Sequence, residues 1–165
     1  MKSFEFVCSC CGETHYGMPG FADSSPLNYR QIPEEERATR TLLTPDECVI
    51  DNEWFFVRGC IEIPVHDYDD PFIWGVWVSQ SETSFAQRNT PGAGPFFGWL
   101  NTPLSPYPDT LNLKTMAHIR DGGLRPYIQL EPTDHPLAVE QREGITTQRV
   151  AELYAQLVHG QKPGN

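Results

Sequence analysis

The sequence predicts a single α+β domain spanning residues 1–165: an antiparallel sheet, a C-terminal helix packed on it, and an N-terminal Cys-x2-Cys-Gly hairpin. Three observations predict it. The stretch "CVIDNEWFFVRGCIEIPV" alternates apolar and polar residues around Asp51-Asn52, a pair that tolerates positive φ, and so reads as two strands and a tight turn. Val150, Leu153, Tyr154, Leu157 and Val158 recur at the spacing of one helix face near the end of the chain. Strand patterns fill the middle of the chain and helical ones its end, the arrangement of an α+β fold.

Taken in order, "FEFV" and "CSCCGETHYG" form a strand, a turn and a return strand at His15, with residues 1–20 as the hairpin unit. Residues 17–32, rich in Gly, Pro and Ser, read as loop, and "IPEEERATR", polar all round with three glutamates at its start, suits an exposed helical turn. The sheet is expected over residues 48–51, 54–65, 72–80, 113–120 and 125–131. Within 54–65, Phe55, Val57, Ile61, Ile63 and Val65 share one face, and Phe56, Arg58, Cys60 and Glu62 the other, because successive side chains alternate. "SETSFAQR" starts a short helix capped by Ser81, and "FFGWL" is a short apolar strand or packed loop. "TDHPLAVEQREG" opens on Thr133 or Asp134 as N-cap and stops at Gly144, the last helix runs from Thr146 or Thr147 to about His159, and residues 160–165 read as a flexible tail.

Composition narrows the function classes. Hydrophobic residues make up 39% of the chain and aromatic ones 12%, which excludes a disordered protein, while 13 glycines and 15 prolines imply short elements joined by fixed turns. No apolar run approaches the ~18 residues that cross a bilayer, and "MKSFEFVCSC" has no signal-peptide core, so the expected location is the cytoplasm. Lys+Arg total 12 against 22 Asp+Glu, a formal charge of −10, and no basic stripe is present to meet phosphates; nucleic acid is excluded as a partner. Between Asp46 and Asp70 stand eight carboxylates, among them Asp67, Asp69 and Asp70, against one cation, Arg58. Such a surface favours a basic protein partner by steering.

Five cysteines in a cytoplasmic chain read as thiols or metal ligands. Cys8 and Cys11, followed by Gly12, have the spacing of half a zinc site, since both sulfurs can face one point and the glycine permits a turn that aims backbone N–H groups at them. His15 is a candidate third ligand, and Cys60 or Cys48 would have to close a structural site across the fold. The alternative is that the cysteines are small buried hydrophobes. A second polar constellation surrounds "LEPTDHPLAVEQREG". Glu131, Asp134 and His135, with Arg58 and Glu62 beside Trp77, could line one pocket for acid–base chemistry or ligand binding. The competing reading makes Asp134 a helix cap and the glutamates a solvated face. The aspartates of "DYDD" lack the spacing and glycine of a calcium loop.

The stretches "CGETH", "CVID", "FFVRGCIEIPV", "WGVWVS", "FGWL", "YPDTLNLKT" and "LEPTDHPLAVEQREGIT" together resemble a bacterial family, domain of unknown function 2199. The resemblance runs from Cys8 to about Val158 and implies a small, soluble, single-domain bacterial protein, with no activity to carry over. Cys10 and the glycine-rich "AQRNTPGAG" depart from the family pattern. The expected role is an acidic interaction protein, of the kind that neutralises a basic toxin as an immunity protein. A zinc-stabilised protein with a small-molecule or enzymatic site around Arg58, Glu62, Glu131 and His135 is the alternative.

Overall fold

A computed structural model describes residues 4–160. In chain order these form β1 (Glu5–Val7), β2 (Thr14–Tyr16), β3 (Gly20–Ala22), α1 (Leu27–Arg30), α2 (Glu34–Arg40), β4 (Thr41–Leu43), β5 (Glu47–Ile50), β6 (Trp54–Ile63) and β7 (Phe72–Gln80), followed by α3 (Glu82–Ala86), β8 (Phe96–Trp99), β9 (Lys114–His118), β10 (Tyr127–Leu130), α4 (Pro136–Glu143) and α5 (Thr147–His159). The tail expected beyond Gly160 lies outside the described residues.

The long β6–β7 hairpin is the spine of the fold, in register from Phe55↔Gln80 to Ile63↔Phe72. Asp51 and Asn52 both adopt φ of 53° in the turn between β5 and β6, as the sequence pair predicts. Around the spine the order is β3-β7-β6-β10-β9-β8, with β5 also on β6 and β4 on β5. Most pairings are antiparallel, as expected; β3 joins β7 and β10 joins β6 in parallel.

The sheet then curls back on itself. Leu100, just past β8, bridges Val78 of β7; the Asn101 N–H donates to the Trp77 carbonyl at 2.8 Å and the Trp99 N–H to the Ser79 hydroxyl at 3.0 Å. β7, β6, β10, β9 and β8 thus form a closed ring, which leaves β7 and β8 no free edge along the seam. Glycine makes the closure possible: a Cβ at Gly98 would lie 2.0 Å from the Ser79 carbonyl oxygen.

Inside the ring, Val57, Ile61 and Ile63 meet Phe72, Trp74, Val76, Val78, Ile128 and Leu130, and the core continues into Leu137 of α4 and Val150 and Leu153 of α5. Each such side chain contributes about 1.5–3 kcal/mol by leaving water. The C-terminal helix therefore buries the face the sequence assigned to it, capped by Thr146, whose hydroxyl accepts from the Arg149 N–H, and by Gly160 at φ 71°. Val158, expected on that face, is exposed. A smaller cluster of Ile32, Cys48, Ile50, Phe56 and Trp77 sits on the opposite face of β6 and β7, flanked by Tyr29 and Leu43. Residues 17–32, expected to be loop, supply part of that cover. They contain β3 and α1, each too short to show a period.

The α4 cap is a correction. His135 takes the N-cap position expected of Thr133 or Asp134, its Nδ1 accepting from the Leu137 N–H at 3.1 Å. Pro136 already fills the first helical position, and the Thr133 hydroxyl is occupied in accepting from the His135 N–H at 3.2 Å.

Candidate functional site

Strand alternation puts every second residue of the ring on its outer face. At β6 and β7 that face is covered: Trp77, opposite Arg58, is fully buried and its indole N–H donates to the Asp23 carbonyl at 2.9 Å. Across β10, β9 and β8 it is open. Register there runs Cys60↔Tyr127↔His118 in one row and Gln129↔Met116↔Phe97 in the next, with Trp99 beside Lys114. Phe97 and Trp99 are 45% and 42% exposed and touch edge-to-face, with ring centroids 5.1 Å apart. Phe97, Lys114, Met116, Gln129 and Glu131 line a shallow cleft of about 250 Å³ on this face.

At one side of the open face lies a cleft of about 470 Å³ lined by Arg58, Arg88, Arg120 and Arg125. Its charges are matched. Arg120 pairs with Glu62, Arg88 with Glu47, Arg125 with Asp46 at 2.8 Å, and Asp121 lines the same cleft. Arg58 donates to the Pro45 carbonyl at 3.3 Å, and its Nε is buried with no hydrogen-bond partner among the described residues. Cys60, in the same row of β6, has its thiol pushed up by burial, with Arg120 acting in the opposite direction.

The residues expected to converge on one pocket do not. Arg58 lines the arginine cleft, and Glu62 pairs with Arg120 of its wall. Glu131 shares their sheet face, but β10 runs parallel to β6 with Tyr127 beside Cys60, so at about 3.3 Å per residue Glu131 lies roughly 7 Å further along than Glu62 and roughly 20 Å further than Arg58. His135 is elsewhere, holding the start of α4 and facing the carbonyls of Pro108 and Asp109 at 3.2 and 3.1 Å. Asp134 is exposed beside it. Asp67, Asp69 and Asp70 are exposed in the β6–β7 turn, and no ion pair among the described residues engages them. The acidic band is half neutralised: Asp46, Glu47, Asp51 and Glu62 each pair with an arginine distant in sequence.

The N-terminal hairpin forms a second candidate site. After β1 the Cys8 N–H donates to the Glu13 carbonyl at 2.9 Å and the Gly12 N–H to the Cys8 carbonyl at 3.0 Å, with Gly12 at φ 74°. This is the turn the Cys-x2-Cys-Gly spacing predicts. Burial works against ionising Cys8, but N–H groups of Cys11 and Cys10 bond its sulfur, and the net effect holds the thiol below its ordinary value. Opposite Phe6, the His15 ring packs against Phe6 and Tyr154 of α5 at centroid distances of 5.3 and 4.6 Å, and those two rings meet each other at 5.2 Å. Docking through Tyr154 brings the last residue of α5 to the cysteines. The ligand atoms of Cys8, Cys11 and His159 lie within 4.8 Å of one another, as do those of Cys11, Glu13 and His15.

Cys60, expected as a closing ligand, belongs to neither group; strand β6 fixes it beside Arg120. Cys48 is buried in the smaller cluster and behaves as a core hydrophobe. His159 was not identifiable as a ligand from the sequence, since it stands at the opposite end of the chain with no spacing relation to the cysteines.

The chain belongs to the bacterial family described as "uncharacterized protein conserved in bacteria", domain of unknown function 2199, whose profile matches residues 7–145. No curated protein and no solved structure matches the chain. Among the described residues, no helix is long and apolar enough to cross a membrane.

Proposed function

We propose that this protein is a protein-binding module of the bacterial cytoplasm, stabilised by zinc at its N-terminal hairpin, which docks its partner on the open face of β8, β9 and β10. The observation that carries this reading is the exposed Phe97–Trp99 pair. Two adjacent large aromatics left in water on a rigid sheet are costly unless something covers them, and exposed apolar patches of this kind mark interaction sites. Aromatic anchors with a polar surround, here Lys114, Gln129 and Glu131, are the composition of binding hot spots.

The partner class is a basic protein, with a toxin neutralised by an immunity protein as the specific case. A formal charge of −10 supports steering toward such a partner, and Asp67, Asp69 and Asp70, in no ion pair among the described residues, add to the field. Matched charges in the arginine cleft argue against an anionic ligand there.

The test uses the purified protein and the products of its neighbouring genes, since an immunity protein is encoded beside its toxin. One of those products is expected to bind, with association slowing as salt rises. Phe97→Ala/Trp99→Ala is expected to weaken binding by 2 kcal/mol or more, roughly thirtyfold, mainly through faster dissociation. Failure of every neighbouring product to bind, or binding indifferent to the double substitution, overturns the proposal.

A further inference from the structure

We propose that zinc(II) is held by Cys8, Cys11, His15 and His159, and that the ion clasps the end of α5 to the N-terminal hairpin. This rests on the zinc reading above and adds its complete ligand set and its mechanical role.

Each ligand is already oriented by something other than the metal. The turn at Gly12 brings both cysteine sulfurs within 4.8 Å of one another. His15 packs against the touching rings of Phe6 and Tyr154, with its Nε2 3.9 Å from the Cys11 Sγ. In a tetrahedral site with ordinary Zn–S and Zn–N lengths, sulfur and nitrogen ligands stand about 3.5 Å apart. His159 arrives beside Cys8 and Cys11 from the last residue of a helix whose position the core fixes through Val150 and Leu153.

Charge selects His15 over Glu13 as the fourth ligand. Two thiolates and two neutral imidazoles leave the zinc centre uncharged, whereas a carboxylate in place of one imidazole would leave it negative in a protein already at −10. As the metal binds, each cysteine releases its proton to solvent and its sulfur lone pair forms the Zn–S bond.

The clasp has a structural use. β1 and β2 pair over only three residues each and form a sheet separate from the large one. A two-stranded hairpin of that length is marginal in water. A metal joining it to α5 would fix both the hairpin and the last turn of the helix.

The experiment uses the full chain purified without chelator. Elemental analysis is expected to give about one zinc per chain, and the cobalt-substituted protein to show the intense d–d bands of a tetrahedral site with thiolate charge transfer. His159→Ala and His15→Ala are expected to weaken zinc in chelator competition by more than the roughly 10–100-fold lost with an outer-shell partner. His159→Cys restores binding, and Glu13→Gln leaves it unchanged. Hydrogen exchange after chelation is expected to rise together in residues 5–16 and in the last turn of α5, with β6 and β7 unaffected. Stoichiometric zinc with unchanged affinity in His159→Ala overturns the clasp while leaving the zinc reading standing. A zinc ratio near zero overturns both.

Discussion

Gly98→Ala tests the closed ring. At an ordinary strand glycine the substitution stabilises by about 0.4–1 kcal/mol, because alanine has fewer unfolded conformations to lose. Gly98 is not at a left-handed φ, so alanine meets no backbone strain of its own there. The added methyl would nevertheless lie 2.0 Å from the Ser79 carbonyl oxygen and 2.8 Å from the Gln80 side-chain nitrogen. Gln80 can swing aside, but Ser79 is backbone in a central strand, so β8 must retreat from β7 by about 1 Å or more to restore van der Waals contact. That retreat strains the Trp99 N–H bond to the Ser79 hydroxyl and the Asn101 N–H bond to the Trp77 carbonyl, each worth about 1 kcal/mol. Overpacking adds about 1–3 kcal/mol. The expected net loss is about 2–4 kcal/mol, a large fraction of the 5–15 kcal/mol typical of a domain. Urea unfolding should show a lower midpoint with little change in slope. An unchanged or raised midpoint would refute the closure.

Tyr107→Phe removes the link in a buried chain where the Trp74 indole N–H donates to the Tyr107 hydroxyl and that hydroxyl donates to Glu140, both at 3.2 Å; it should cost about 1–3 kcal/mol in urea unfolding, and a neutral result counts against the chain. Burial, reinforced by Glu140, raises the Tyr107 phenol above its ordinary value, so its contribution is fully present below pH ~10 and declines as pH rises toward the folded value, which near-ultraviolet titration alongside unfolding will follow. Burial pushes the Cys48 thiol up to about 11 and leaves it with no exposed surface, so alkylation of the native protein at neutral pH, read by peptide mass spectrometry, should leave Cys48 unmodified until the chain is unfolded; labelling in the native protein as fast as in the unfolded chain contradicts the small core cluster.

What could be read in advance follows the range of the interaction. The β6–β7 hairpin and the buried stripe of α5 were legible because alternation and helical period are local and core burial amplifies them. The Asp51-Asn52 turn was legible from the conformational tolerance of two adjacent residues. Ring closure was not, since a single bridge between Val78 and Leu100 leaves no period in the sequence. Nor was the parallel insertion of β10 beside β6, which sets Glu131 on the same face as Arg58 but roughly 20 Å along from it. The cysteine turn could be read because its geometry is set within five residues. His159 could not, because tertiary docking of α5 through Tyr154 places it.

Closure and the open aromatic face have one cause in the register. Only glycine fits against the Ser79 carbonyl, so residue 98 must point into the seam, and alternation then turns residues 97 and 99 outward. Nothing in that geometry asks for aromatics. A fold selected for stability alone would place polar or β-branched residues at two such positions, and the Phe97–Trp99 contact returns only about 0.5–1.5 kcal/mol while leaving more than two-fifths of each side chain wet. With Phe97 and Trp99 about half exposed, covering them would remove roughly 100 Å² of apolar surface apiece from water, about 2.5 kcal/mol each at 25 cal/mol per Å². That is the size of a binding anchor and exceeds what the pair contributes to the isolated chain. The balance between those two quantities is the physical ground for assigning the face to a partner.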